Sequence, residues 1–148
     1  MSIQIGDRMP EFSALNEKGE QVHSKELSST PCIIFFYPKD DTYLCTKEAC
    51  SFRDANEEFL KAGIQVIGIS ADSVEEHAQF AKKHKLKYSL LSDTENTIRT
   101  AFGVPKGLLG LLPGRVTYCF DAQGKVLSII NSSFSAEKHV QEALKAYS

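Results

Sequence analysis

A chain of 148 residues, 42% apolar and 24% charged, has the make-up of a soluble globular domain large enough to bury a core. Its net charge of −2 offers no electrostatic attraction to nucleic acid or an anionic membrane, and no apolar run approaches the ~20 residues of a membrane helix. The opening residues Met1-Ser2-Ile3-Gln4-Ile5-Gly6-Asp7 lack the basic and then apolar segments of a secretory signal. No internal repeat, linker or low-complexity stretch interrupts the chain. The expectation is one domain over 1–148, cytoplasmic, with no nucleic-acid or membrane partner.

In chain order, residues 11–27 contain the turn signal Asn16-Glu17-Lys18-Gly19-Glu20 between short extended segments. The run Cys32-Ile33-Ile34-Phe35-Phe36-Tyr37 is too apolar for a half-exposed strand and reads as a central one. From Thr42 to about Ala62 the pattern is helical, with Ala49, Phe52, Phe59 and Leu60 near one face and Gly63 placed to end it. Residues 64–70 form a second central strand. Residues 74–84 form an amphipathic helix for which Asp72 or Ser73 can serve as cap. A short extended piece at 90–93 precedes a short helix at 95–102, stopped by Gly103. Strands at 116–121 and 126–130 flank the turn Ala122-Gln123-Gly124-Lys125, and Ser135 caps a last helix at 136–146. Alternating strands and helices, then a hairpin and a helix, predict an α/β sheet covered on both faces, in the order of a thioredoxin-like fold with an N-terminal extension.

Of the four cysteines, Cys32 and Cys119 fall in apolar strand-like runs, where free cysteine behaves as a small hydrophobe. Cys45 stands where a helix begins. A thiol there faces unpaired backbone N–H groups and the positive end of the helix dipole, which favour the reactive thiolate. Cys50 lies on the same predicted helix. The spacings match no disulfide framework, so reduced thiols are expected.

Pro38, Thr42 and Cys45 reproduce the proline, threonine and cysteine of the peroxiredoxin active-site motif at its spacing. Cys50 matches the second cysteine of the bacterioferritin-comigratory, or Q-type, branch, and Arg115 in Gly114-Arg115-Val116-Thr117-Tyr118 matches the active-site arginine. The chain resembles that family over essentially its whole length. It departs from it at Tyr43-Leu44, where relatives commonly carry Pro-Gly, a change that bears on loop shape and substrate access. The resemblance implies a thiol peroxidase that reduces hydrogen peroxide and organic hydroperoxides without metal, flavin or haem. Cys45 attacks the peroxide, Cys50 resolves the sulfenic acid as a disulfide, and a thioredoxin-like or glutaredoxin-like donor recycles the pair. Thr42 hydrogen-bonds sulfur and peroxide, Pro38 shields the thiolate, and Arg115 supplies the positive charge that the departing oxygen needs.

Five residues of α-helix separate two Cα atoms by roughly 8–9 Å, whereas a disulfide requires less than ~7 Å. The pair therefore bonds only if the first turns unwind. The apolar connection at 103–114 ends at Arg115 and is expected near the pocket rim, with Leu108 and Leu109 either a lip for alkyl peroxides or a docking patch, or else packed inward over the sheet. Arg53 and Arg99 are rival cations. The chain has no Cys-x-x-Cys and no tryptophan, which disfavours a disulfide oxidoreductase and a glutathione-peroxidase-like enzyme. His23, His77, His84 and His139 show no zinc-ligand spacing to the cysteines. A non-enzymatic redox switch or holdase using the same cysteine pair is the alternative from a different class. With the last cysteine in a strand, intersubunit disulfides are not expected, and a monomer is.

Overall fold

In the computed structural model, which describes residues 2–105, 115–132 and 135–148, the strands form one mixed sheet of seven. The elements are β1 Ser13–Leu15, β2 Gln21–His23, α1 Ser24–Leu27, β3 Cys32–Phe36, α2 Tyr43–Lys61, β4 Gln65–Ser70 and α3 Val74–His84. They continue with β5 Ser89–Ser92, α4 Thr97–Phe102, β6 Val116–Phe120, β7 Val126–Asn131 and α5 Ala136–Ala146. The strand order is β2-β1-β5-β4-β3-β6-β7. β3, β4 and β5 run parallel, and the other neighbours are antiparallel. The N-terminal hairpin β1–β2 extends the sheet beyond β5, in agreement with the expected thioredoxin-like architecture and N-terminal extension.

β3 is buried along its whole length, and its period of two sorts the core into two layers. Ile33, Phe35 and Tyr37 pack with Ala49, Phe52 and Phe59 of α2, Phe80 of α3 and Val140 of α5. Cys32, Ile34 and Phe36 face the other way, toward Leu27 of α1 and Ile98 and Phe102 of α4. Phe35 stacks on Phe52 with ring centroids 4.6 Å apart. Burying a phenyl side chain contributes about 1.5–3 kcal/mol, so α2 is fixed mainly by Phe52 and Phe59. Its first turn carries Tyr43, 78% exposed. Gly68 of β4 lies where an added Cβ would meet Leu90 and Phe35 at 2.8 Å, and only glycine lets those two side chains close over the strand.

Most expected boundaries hold to within two residues, and the departures have local causes. α1 replaces part of the extended stretch expected at 11–27; Ser24 accepts a hydrogen bond from Phe12 N through its hydroxyl and folds the chain into a single helical turn. Ser73, not Asp72, caps α3, in a reciprocal capping box with Glu76, because Asp72 is engaged elsewhere. α4 begins at Thr97 rather than 95 because Asn96 is left-handed and the Asp93 carboxylate takes the N–H groups of Ile98 and Arg99.

Candidate active site

The six-residue connection from β3 to α2 carries Pro38 and Thr42 and opens at the carboxyl end of a central parallel strand, where α/β sheets place their ligands. Thr42 occupies the N-cap position of α2, with extended backbone angles. Its hydroxyl donates to the Lys39 carbonyl at 2.8 Å and makes no side-chain cap bond. That places Cys45 in the first helical turn, as expected. The Thr42 hydroxyl is committed within the loop rather than to the sulfur. Pro38 is half-buried at the strand end.

Cys45 is buried at 1% exposure. The Arg115 guanidinium donates to its Sγ from Nη2 at 3.3 Å and to Glu48 Oε1 from Nη1 at 2.7 Å. Register explains the meeting. β6 pairs antiparallel with β3, placing Val116 opposite Phe36, so the residue before β6 lies beside the end of β3 where the cysteine loop begins. Burial works against the arginine charge, but Glu48 and Cys45 overcome it and hold Arg115 above its usual range. Of the rival cations, Arg99 sits across the 37–42 loop, donating to the Tyr37 carbonyl at 3.2 Å, and interacts electrostatically with Cys45. Arg53 is turned away, toward Asp54 and the His84 carbonyl.

Behind Arg115 lies a polar group that the sequence reading missed. Glu48 is fully buried, and burial pushes its carboxyl up to about 7 even with Arg115 alongside to lower it. Its Oε2 has no hydrogen-bond partner among the described residues and lies 3.4 Å from His139 Nδ1. His139 Nε2 contacts the Ser132 carbonyl at 2.8 Å, which only accepts, so Nε2 carries the proton. Nδ1 then takes the Thr117 hydroxyl at 2.7 Å, and burial lowers His139 to about 4. A neutral imidazole presenting no N–H to Oε2 leaves a proton on Glu48 as the means of satisfying that oxygen. A signal existed: Glu48 stands three residues after Cys45 on the stripe of Ala49, Phe52 and Phe59, where a solvated charge has no place.

Cys50 is half-buried on the same unbroken helix, and all four cysteines are free. Cys32 and Cys119 are fully buried in β3 and β6. Burial raises both thiols, Cys119 to about 12, in line with inert packing. The expected leucine lip at Leu108 and Leu109 lies outside the described residues. No helix among the described residues is long and apolar enough to cross a membrane.

A buried, arginine-contacted thiol at the head of a helix on a thioredoxin-like sheet is the layout of a thiol-based oxidoreductase. The chain matches the AhpC/TSA family over residues 5–129. It is 47% identical over 143 residues to the chloroplastic peroxiredoxin Q of Sedum lineare, covering 97% of this chain and 77% of that one. The corresponding protein of Gentiana triflora is 49% identical, with 97% and 66% covered. Among solved structures, peroxidoxin BcpB from Mycobacterium tuberculosis superposes with a TM-score of 0.89 at 39% identity, covering 98% of this chain and 96% of that one. Xanthomonas campestris peroxiredoxin Q gives 0.83 at 29%, covering 92% and 89%. The chain therefore belongs to the AhpC/TSA peroxiredoxins, among the Q-type thiol peroxidases.

These relatives also correct one expectation. The Sedum and Gentiana proteins are chloroplastic, which overturns the cytoplasmic reading. That reading rested on unpaired thiols and on the first residues, and free thiols persist in any reducing compartment, so they did not select the cytosol.

Proposed function

We propose that Cys45 is the peroxidatic cysteine and Cys50 the resolving one, in a single domain spanning 1–148. The Cys45 thiolate attacks one peroxide oxygen and the O–O bond breaks. The departing oxygen leaves as water or an alcohol after taking a proton, and Cys45 becomes a sulfenic acid. Cys50 displaces water from that sulfur to form the disulfide, and a thioredoxin-like or glutaredoxin-like dithiol reduces it by exchange. Arg115 stabilises the thiolate and the charge moving onto the departing oxygen, while Pro38 and Thr42 shape the peroxide pocket. The Arg115 contact to Cys45 Sγ at 3.3 Å carries this reading. A redox switch or holdase has no need of a guanidinium aimed at the sulfur. With both cysteines on one helix, the disulfide forms within one chain and the proposed cycle needs no second subunit.

Resolution requires the head of α2 to unwind, and the packing favours this. Tyr43 and Lys47 are exposed, whereas Phe52 and Phe59 are buried and the Tyr88 hydroxyl donates to the Ala49 carbonyl at 2.7 Å. The first turn thus has less apolar contact to lose than the rest of the helix. Treatment with one equivalent of hydrogen peroxide followed by peptide mapping is expected to yield a Cys45–Cys50 disulfide. Cys50→Ser should stop at the sulfenic acid and pass to the sulfinic acid with excess peroxide. Wild-type protein carrying only sulfenic or sulfinic Cys45 would remove Cys50 from the resolving role.

A further inference from the structure

Beside the loop that carries Pro38 and Thr42 lies a second buried polar cluster to which the chemistry above assigns no part. Asp40, at the midpoint of that loop, is 6% exposed, and His77 of α3 is fully buried. Asp40 Oδ2 and His77 Nδ1 are 2.6 Å apart. The other ring nitrogen lies 3.1 Å from the Leu91 carbonyl, an acceptor only, so Nε2 bears a proton. One further proton then joins Nδ1 to the carboxyl group. Asp40 Oδ1 accepts from the Tyr37 hydroxyl at 2.6 Å, and the Asp40 N–H donates to Asp72 Oδ2 at 2.8 Å, an oxygen that also takes the Ser70 hydroxyl. Asp40 is thus tied by side chain and main chain to the ends of β3 and β4 and to α3.

The neighbouring residue shows that the loop is held rather than relaxed. Asp41 has φ +61, the left-handed region, which persists where the surroundings impose it. α3 holds this residue as well, through Lys83 Nζ to Asp41 Oδ1 at 3.2 Å. Asp40, Asp72 and His77 offer ligand atoms within 4.8 Å of one another. Each is already hydrogen-bonded to protein groups, so the cluster is a closed network rather than a metal site.

We infer that the Asp40–His77 pair is the positioning device of the peroxide pocket. By pinning the midpoint of the 38–42 loop it fixes where Pro38 and Thr42 stand against Cys45, without touching peroxide itself. This rests on the reading of Pro38 and Thr42 as pocket groups. Displacing aligned groups by about 1 Å lowers a rate by about a hundredfold, so loosening this anchor is felt at the sulfur.

The test compares two reactions of Cys45 in wild type, His77→Gln and Asp40→Asn: oxidation by hydrogen peroxide and alkylation by iodoacetamide, read by peptide mapping. Alkylation needs only an accessible thiolate, whereas peroxide reduction also needs the aligned pocket. Peroxide oxidation is expected to fall at least about tenfold while alkylation stays within about twofold, with the double variant no slower than the slower single variant. A folded His77→Gln protein with an unchanged peroxide rate, or with both rates falling in parallel, overturns the assignment. Should the polar variants fail to fold, Tyr37→Phe decides the matter. It removes one hydrogen bond to Asp40 and keeps the ring, and it should slow peroxide oxidation alone; an unchanged rate overturns the assignment. Wild type that reduces peroxide no faster than a free thiol would instead retire the peroxidase reading beneath it.

Discussion

Replacing Arg115 by methionine is expected to lower the rate constant for oxidation of Cys45 by hydrogen peroxide about 10²–10³-fold, the size of effect seen when a preorganised donor to developing negative charge is removed. The substitution fills similar space but withdraws the donor 3.3 Å from Sγ. It also withdraws the hydrogen-bond partner of the buried Glu48 carboxyl at 2.7 Å, and leaving a buried polar group unpaired costs about 1–3 kcal/mol. Here the loss should depend on pH. Arg115 is what lowers the Glu48 carboxyl toward about 7, so without it the group stays protonated to higher pH in the folded protein. The unfolded chain ionises it near the ordinary value, so the stability deficit widens as pH rises. Stopped-flow oxidation together with urea unfolding at pH 6 and pH 8 reads both effects. A peroxide rate constant within about threefold of wild type, well short of the loss of a donor, would contradict the role given to Arg115.

The second large effect lies with Glu48 and His139. Glu48 has a folded pKa of about 7 against an ordinary 4.5, so the folded state holds the extra proton between those values. Its stabilising contribution is fully present below 4.5 and lost as pH rises through 7. His139 has the opposite sign. Burial lowers it from 6.5 to about 4, so its contribution is present above 6.5 and lost as pH falls through 4. Between pH 4.5 and 6.5 the two slopes nearly cancel. Glu48→Gln removes one of them, and at about 1.4 kcal/mol per pH unit the variant should gain about 2–3 kcal/mol relative to wild type from pH 4.5 to 6.5. Urea midpoints for both proteins across that range measure it. Stability curves that stay parallel would mean that Glu48 does not hold the proton assigned to it.

Local rules carried far in this chain. The apolar run at 32–37, the helical stripe after it, the serines ahead of α3 and α5 and the glycines at 63 and 103 each act over a few residues. The elements follow from them almost in place. Cys45 could be picked out for the same reason, since a helix head is where a thiol is favoured as the thiolate. What local rules leave open, including the Arg115 that only the family resemblance singled out, depends on distant pairing. Arg115 reaches Cys45 because β6 runs antiparallel to β3 in one register. Glu48 gains its environment only when α5 brings His139 over α2. Asp40 reads as an ordinary loop acid until α3 delivers a buried imidazole to it. In each case the residue type is polar and the signal is burial, which a period of 3.6 or 2 reveals only where a charge interrupts an apolar stripe.

Hydrogen peroxide consumption with dithiothreitol as reductant, in wild type, Cys45→Ser and Cys50→Ser, tests the central claim most directly, because dithiothreitol replaces whatever dithiol serves as natural donor. The account predicts rapid turnover in wild type, none above free thiol in Cys45→Ser, and retained turnover in Cys50→Ser. Wild type no faster than dithiothreitol alone, or Cys45→Ser as active as wild type, would contradict it.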